Sequence, residues 1–286
     1  MAINREDLGK RLAVGAVYVA IVSVSTIVSW YTTVIVVAIM ASLCCYEFLR
    51  MARTNGFRPY IIIGTLSSAL IPLAFCLAAG SEHVVVGGLV VAFCAAILML
   101  LRFFIHEEDT IVDVAITLFA LFYTGMLLSS FILLRGYYPG IEGGICGFIV
   151  LASVWMNDGF AYLGGSAFGR HKMAPKISPK KSWEGVFFGL AGSVIAWLFM
   201  PLVLPDCQFG YAWAAISGLL VGIVSVIGDL TESHIKRGFN AKDSGDIMPG
   251  HGGMLDRSDS LLFASVVSYG MVAGAPYIFD ILGFAL

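Results

Sequence analysis

The segment from Asp229 to Asp259 concentrates side chains that can do chemistry. Its 31 residues hold six carboxylates and four cations, nearly a third of the acids of the chain in about a tenth of its length. If the apolar stretch before it continues as a helix, Asp229 shares a face with Lys236 and Arg237 two turns further on. Asp256 and Asp259 are three residues apart and also share a helix face. The other ionic residues of the segment are Glu232, Lys242, Asp243, Asp246 and Arg257.

A glycine-rich loop lies between these two groups. Four glycines fall between residues 245 and 253, in Lys242-Asp243-Ser244-Gly245 and Pro249-Gly250-His251-Gly252-Gly253. Glycines at such density suit close backbone approach to a ligand and backbone amides that bind anions. Taken singly, the acids are explained as helix caps and the cations as topology anchors. The combination favours a ligand site.

A second group of polar residues lies upstream. Asp158 falls within an apolar stretch, where an ionised carboxylate costs on the order of 2.5–3.5 kcal/mol, so we expect it to have a partner or to face water. The alternative is a structural contact with another helix. Lys180 and Lys181 follow, and their alternative role is to bind anionic lipid head groups. The Gly185 to Gly189 spacing predicts helix packing.

Acids beside cations and glycines indicate a substrate that carries phosphate. Mg²⁺ is usually held by one or two carboxylates together with substrate phosphates, so carboxylates and cations can share one site. The reaction class predicted from these residue types is phosphoryl or nucleotidyl transfer.

The composition places this chemistry in a membrane. The 286 residues are 59% hydrophobic and 13% charged, with a mean hydropathy of +0.89. Soluble domains carry about 25% charged residues, so a soluble monomer is excluded. The net charge of −2 gives no basic field for nucleic acid. We expect one integral membrane domain over 1–286, with 1–135 as scaffold or dimer region and 143–282 as the catalytic helices.

Apolar periodicity predicts an all-α, polytopic protein of about nine transmembrane helices. The 35 residues from Leu12 to Tyr46 carry no charge, and the polar-aromatic turn at 29–33 divides them into two spans. A cytoplasmic N-terminus places sixteen of the seventeen Lys and Arg residues inside and only Arg135 outside. The other predicted spans are about 60–79, 84–101, 111–134, 143–165, 184–204, 211–229 and 260–282.

Several short motifs together closely resemble the signature of the phosphatidate cytidylyltransferases, also called CDP-diacylglycerol synthases. They are Ser233-His234-Ile235-Lys236-Arg237, Lys242-Asp243-Ser244-Gly245, Pro249-Gly250-His251-Gly252-Gly253 and Asp256-Arg257-Ser258-Asp259-Ser260. The Asp158 segment and Ser178-Pro179-Lys180-Lys181-Ser182-Trp183-Glu184-Gly185 are similar to that family too. Ser182 stands where many members have Thr, which keeps a hydroxyl.

The resemblance implies that CTP and phosphatidate give CDP-diacylglycerol and pyrophosphate, in a homodimer in the plasma membrane of a prokaryote. It implies that Asp229 and Asp256 are the leading ligands of Mg²⁺, with Asp259 and Asp158 as secondary candidates and a second cation left open. Catalysis is then assigned to Asp229, Lys236, Arg237, Asp256 and Asp259. The implied substrate-binding residues are Asp158, Ser178, Lys180, Lys181, Ser233, Lys242, Asp243, Gly250, His251, Gly252, Gly253 and Arg257. We expect 158–185 and 229–259 to form one polar cavity that opens to lipid.

Three other functions are weighed against this one. A CDP-archaeol synthase would use a different lipid with similar nucleotide chemistry. A CDP-alcohol phosphotransferase is disfavoured, because Asp158-Gly159 lacks the spaced Ala-Arg and later acids of that family. A transporter would use Asp158 and Asp229 as a midplane cation site, but the charges cluster at the predicted cytoplasmic boundary.

Overall fold

The protein, described by a computed structural model, is helical almost throughout. The structure describes residues 5–77, 84–106, 108, 110–204, 210–248, 250 and 252–281. Its helices are α1 (Arg5–Val28), α2 (Trp30–Thr54), α3 (Ile61–Leu77), α4 (Val84–Ile105), α5 (Ile111–Ala120), α6 (Leu127–Tyr137), α7 (Gly140–Phe168), α8 (Trp183–Leu198), α9 (Met200–Val203), α10 (Tyr211–Gly238) and α11 (Leu255–Ile281). A π-helical stretch, Leu121–Met126, joins α5 to α6, and β1 (Lys172–Ala174) pairs antiparallel with β2 (Ser178–Ser182).

Most of these helices are long and apolar enough to cross a bilayer. Within the described residues, seven spans meet this condition, and Ala13–Val28 and Ile61–Phe75 are shorter apolar helices. The all-α, polytopic membrane architecture is therefore confirmed. The predicted break between two spans near residue 30 is also present, because α1 ends at Val28 and α2 begins at Trp30. The count of nine spans and the cytoplasmic N-terminus stay predictions.

The residue contacts divide the chain into two compact units. The first contains the described residues within Met1–Ser25, Tyr31–Ile132 and Ile235–Ser258. The second contains those within Thr26–Trp30, Leu133–His234 and Asp259–Leu286. The chain therefore passes between units within α10 and again within α11, and the glycine-rich loop belongs to the same unit as α2 to α5.

In the first unit, the segment after α10 is fastened to α2. The Asn55 side chain donates to the Phe239 carbonyl at 2.6 Å. The Phe48 ring contacts the Phe239 ring edge-on, at 5.6 Å between centroids. It also packs against the rings of Phe119 and Tyr123. These contacts fix the start of the glycine-rich loop against the N-terminal helices.

In the second unit, small residues allow helices to approach closely. A Cβ on Gly185 or Gly189 of α8 would lie 2.8 Å from the carbonyl oxygen of Ala161 or Asn157 in α7. The helix packing predicted from the Gly185 to Gly189 spacing is thus confirmed. The Asn157 side chain also donates to the Gly222 carbonyl of α10 at 3.1 Å.

Arg135, the one cation predicted to lie outside, has a structural role at the end of α6. Its side chain is only 3% exposed, and its Nε donates to the Thr26 carbonyl at 2.6 Å. A buried guanidinium held in this way fixes α6 to the end of α1, so its loss would disturb the fold.

Candidate active site

A β-hairpin between α7 and α8 presents the lysines of the upstream motif. Lys172 pairs with Ser182 across the strands, and Trp183 N–H donates to the His171 carbonyl at 3.0 Å. The Glu184 carboxylate accepts from His171 Nδ1 at 2.6 Å and from the His171 amide at 3.2 Å. These bonds close the base of the hairpin directly onto the first turn of α8.

Ser182 ends the hairpin and begins α8. Ser182 is buried, and its hydroxyl accepts a hydrogen bond from the Gly185 amide at 3.3 Å, as is typical of an N-cap serine. The predicted substrate-binding residues of this motif lie on β2, which leads directly into α8. Ser178 is half-buried, Lys180 is exposed, and the Lys181 side chain is 20% exposed.

The hairpin, α7, α8 and α10 enclose a cavity of about 420 Å³. Its ionic lining residues are Asp158, Lys172, Lys180, Lys181 and Asp229. Lys181 Nζ lies 2.7 Å from Asp229 Oδ2, and this ion pair joins the hairpin to α10. The remaining wall is largely apolar, with Ala161, Val186 and Val226 among its members. The structure thus brings together four residues that the sequence predicts, and it adds Lys172, which sequence reasoning missed.

An acidic group extends this site along α10 and α11. Asp259 is half-buried, and the carboxylates of Asp229, Glu232 and Asp158 are its electrostatic neighbours. The close approach of the two helices depends on Gly228, where a Cβ would lie 2.6 Å from the Asp259 carbonyl. The predicted site residue Ser233 donates to Asp229 Oδ1 at 3.2 Å. Four acids lie in this group, and Lys181 contacts one of them, so the group is attractive to a cation.

Asp256, in the first unit, organises the glycine-rich loop. Its Oδ1 accepts from Lys236 Nζ at 2.5 Å. Its Oδ2 accepts from the Ser244 amide at 2.9 Å, the Ser244 hydroxyl at 3.0 Å and the Gly253 amide at 2.8 Å. Four protein donors therefore satisfy the carboxylate that the resemblance assigns to metal. Its metal role stays a prediction.

A second carboxylate, from Glu47 of α2, holds the same loop. Glu47 is 1% exposed, shares the Ser244 hydroxyl proton with Asp256 at 3.0 Å, and accepts from the Met254 amide at 3.0 Å and the Leu255 amide at 2.9 Å. Sequence reasoning missed this residue. The available signal was a carboxylate inside the apolar α2, since acids within membrane helices face a partner or function.

Asp256 and Glu47 approach the loop so closely that two of its glycines have no room for a side chain. A Cβ on Gly253 would lie 2.2 Å from Ser244 Oγ and 2.3 Å from Glu47 Oε2. Gly252 has φ +83°, and its Cβ would lie 2.4 Å from Asp256 Oδ2. Gly250 also has positive φ and is exposed. Close approach, predicted for a ligand, is here made to the protein's own side chains.

The other predicted residues of this segment lie at its surface. Lys242, Asp243 and Arg257 are exposed. Arg237 is exposed too, and its Nη1 donates to the Ala241 carbonyl at 2.9 Å, where it stabilises the end of α10. His251 lies outside the described residues.

The donor groups of this site can be compared with the ligands that Mg²⁺ requires. Among the residues that the structure describes, no three His, Cys, Asp or Glu side chains form a ready coordination group. Mg²⁺ does not need one, because one or two carboxylates with phosphates and water suffice. Asp229 and its neighbour Asp259 fit this requirement, since both residues are half-buried and lie in an acidic group.

Comparison with known proteins decides the family. The model of the cytidylyltransferase family matches residues 9–274, which is nearly the whole chain. The chain belongs to the cytidylyltransferase family. The matched range includes all the residues that line the hairpin cavity and all those of the glycine-rich loop.

Curated members of the family resemble this chain over different lengths. Phosphatidate cytidylyltransferase 5, chloroplastic, of Arabidopsis thaliana is 31% identical over 93% of this chain and 70% of its own. The phosphatidate cytidylyltransferase of Synechocystis is 32% identical over 84% of this chain and 87% of its own. That of Brucella abortus is 44% identical over 52% of this chain, an alignment that spans 54% of the Brucella protein.

Proposed function

We propose that this protein is a phosphatidate cytidylyltransferase, which makes CDP-diacylglycerol and pyrophosphate from CTP and phosphatidate. The observation that carries the proposal is the cavity in which Lys181 contacts Asp229 beside an apolar wall. A cavity with both charged and apolar lining residues fits a substrate that has both a phosphate and acyl chains. Membership of the cytidylyltransferase family and the names of the relatives support the same reaction.

The reaction needs positioning more than acid–base chemistry. An oxygen of the phosphatidate phosphate attacks the α-phosphorus of CTP, the bond from that phosphorus to the bridging oxygen of the β-phosphate breaks, and pyrophosphate leaves. The nucleophile is already anionic, so no strong base is required. Lys180 and Lys181, with Lys172, neutralise phosphate oxygens and hold the two anions against their mutual repulsion.

We assign the metal to Asp229 and Asp259. Bound Mg²⁺ would neutralise the triphosphate and polarise the phosphorus that is attacked. Asp256 then has a positioning role, because its carboxylate orients Lys236 and the loop amides. The Lys236 side chain is 12% exposed, and its ammonium contacts Asp256 Oδ1.

The multi-pass membrane character places the substrate lipid in the same bilayer as the enzyme. We propose the plasma membrane of a prokaryote as the location and a homodimer as the assembly, both on the resemblance to the family. The cytosolic nucleotide and the membrane lipid then meet at one boundary.

The test is a reconstituted assay of the purified full chain in nanodiscs. CTP labelled at the α-phosphate, phosphatidate and Mg²⁺ should give labelled CDP-lipid and pyrophosphate in equal amounts. Replacing phosphatidate by its isoprenoid ether analogue tests the archaeol alternative, and it should give much less product. Cation flux in proteoliposomes without CTP turnover would overturn the proposal in favour of transport.

A further inference from the structure

A groove of about 480 Å³ lies between α1 and α2, within the first unit. Side chains of α1 from residues 13–22 form one side of it, and side chains of α2 from residues 36–40 form the other. Met248, within the glycine-rich loop, and Met254, directly after it, also line the groove. None of these described residues is shared with the hairpin cavity.

The described lining of this groove is apolar. Tyr18 is the only one of these residues whose side chain has an oxygen or nitrogen atom, and its hydroxyl donates to the Arg257 carbonyl at 3.4 Å. Val22 and Met40 are buried, whereas Ile39 is 53% exposed, so the groove has a closed bottom and an open rim. Both helices are apolar and α2 is long enough to cross a bilayer, so the rim faces hydrocarbon.

The groove is long and narrow. Ala13 and Val22, which both line it, are nine residues apart, or about 13 Å at the helical rise. The volume over that length gives a mean cross-section of about 36 Å², whereas a helix with its side chains, 10–12 Å across, covers roughly 80–110 Å². The groove is therefore too narrow for a helix of a second copy and suits a single unbranched hydrocarbon chain.

One end of the groove is at the glycine-rich loop. Glu47 of α2 accepts from the Met254 amide at 3.0 Å, and the Met248 amide donates to the Gly252 carbonyl at 3.0 Å. Val36, on the α2 side of the groove, is eleven residues from Glu47 and so lies about 16 Å nearer to the turn between α1 and α2. The groove therefore runs from the loop along both helices towards that turn.

We propose that this groove holds one of the two acyl chains of phosphatidate. The inference rests on the proposed function, since it names the part of the enzyme that holds the lipid substrate. A polar loop followed by an apolar groove matches the order of groups along a phospholipid, which is phosphate, glycerol and hydrocarbon. Dispersion contacts in the groove distinguish a chain that fills it from one that is too short. The length of the acyl chain is then discriminated by α1 and α2.

The first experiment measures lipid contact by photo-crosslinking of the purified full chain, without CTP. The probe is phosphatidate with a diazirine in the middle of one palmitoyl chain, at low mole fraction in phosphatidylcholine nanodiscs. It should label peptides of residues 13–40 several-fold more than phosphatidylcholine with the same diazirine chain does, whereas α4 should be labelled equally by both lipids. Equal labelling of residues 13–40 by the two lipids would indicate nonspecific membrane lipid and would overturn the site.

A tryptophan at the rim of the groove should exclude the chain. Ile39→Trp should lose the excess labelling by phosphatidate. Ile35→Trp, one turn earlier on α2 and 54% exposed, adds the same bulk outside the lining and should keep it. Val17→Trp and its control Val24→Trp repeat the comparison on α1, so the result does not depend on the folding of one variant. Retained excess labelling in both Ile39→Trp and Val17→Trp would overturn the site.

Turnover separates the groove from the proposed reaction. Ile39→Trp should raise the KM of dipalmitoyl phosphatidate, in mole fraction, about tenfold, which is the lower end of what a misplaced methylene costs in an apolar pocket. The KM of dihexanoyl phosphatidate should change less than about twofold, because its chains are too short to fill the groove. An equal rise for both lipids would overturn the acyl-chain site.

The remaining outcomes distinguish the two proposals and the other occupant. Selective labelling of the groove by phosphatidate, without any turnover of CTP by the wild type, would reject the proposed function and retain the lipid site. Disulfide-linked dimers formed through Val17→Cys, in a background without the natural cysteines, would assign the groove to a second copy of the chain and overturn the lipid site.

Discussion

The Glu47 carboxylate accepts a hydrogen bond from the backbone amide of Leu255 at 2.9 Å, across 208 residues of sequence. The same carboxylate holds Met254 and Ser244. The first turn of α11, which carries Asp256, is therefore positioned by a residue of α2. A buried carboxylate at a helix start satisfies amides that lack partners within the helix.

We predict that Glu47→Gln lowers kcat at least tenfold and lowers stability by about 1–3 kcal/mol. The carboxamide keeps the shape, but its NH₂ must face hydrogen-bond donors that then lose their acceptor. Activity assays and thermal unfolding in detergent measure the two effects. Asp280→Asn, an exposed acid near the other end of α11, is the matched control. Unchanged melting and turnover in Glu47→Gln would show that the loop does not depend on this residue.

The two predicted metal ligands should differ when each is replaced. Asp229→Asn should lower turnover by about a hundredfold with unchanged melting, because it removes a metal-centred interaction worth several kcal/mol. Asp256→Asn should lower turnover and melting together, because Asp256 accepts from four protein donors. A Mg²⁺ titration of each variant distinguishes them, and only Asp229→Asn should need more Mg²⁺. The reverse pattern would return the metal to Asp256.

Lys181 should contribute to substrate binding through the hairpin cavity. Lys181→Gln removes the cation that contacts Asp229, and a charged hydrogen bond is worth about 1.5–3 kcal/mol, so kcat/KM should fall about 10- to 100-fold. Lys176→Gln, at the exposed turn of the same hairpin and outside the cavity lining, should change it less than about twofold. Equal effects in both would point to a general loss of surface charge.

Gly253 should not tolerate a side chain. The Cβ of Gly253→Ala would lie 2.2 Å from Ser244 Oγ and 2.3 Å from Glu47 Oε2, so the loop must move and activity should fall more than tenfold. Gly270→Ala in α11 is the control, since no atom lies within 4 Å of its added Cβ. That change should be neutral or stabilising by up to about 1 kcal/mol. Retention of activity in Gly253→Ala would mean that the bound loop adopts another conformation.

The two ends of the chain should lie on opposite sides of the membrane. The bias of Lys and Arg predicts a cytoplasmic N-terminus, and nine spans place the C-terminus across the bilayer. Single cysteines introduced at residues 3 and 285, in a background with the natural cysteines removed, can be labelled by an impermeant maleimide in sealed vesicles. Labelling of both ends from the same side would remove the nine-span arrangement.

Much of the membrane architecture was predictable from local patterns. The apolar stretches exceed the length that a bilayer needs, so helices were required wherever backbone groups cross lipid. The break between α1 and α2 and the close packing at Gly185 and Gly189 follow from residue types within a few positions of each other.

Some of the site was also readable from sequence. Asp158, Lys180, Lys181 and Asp229 were predicted as site residues, and they line one cavity. Each is a charged residue in or beside an apolar helix, where charge is costly unless a partner or ligand compensates it. The role of each in the reaction stays a prediction.

Only the tertiary structure decided what the remaining residues contact. Glu47 and Ser244 are separated by 197 residues, and no helical or strand period links them. The same holds for Asp256, whose four donors come from α10 and the glycine-rich loop. Local sequence sets which segments become helices, because hydrogen bonds and burial within a segment depend on neighbours along the chain. Which carboxylate meets which amide depends on how distant segments pack, and that is fixed only when the whole unit has folded.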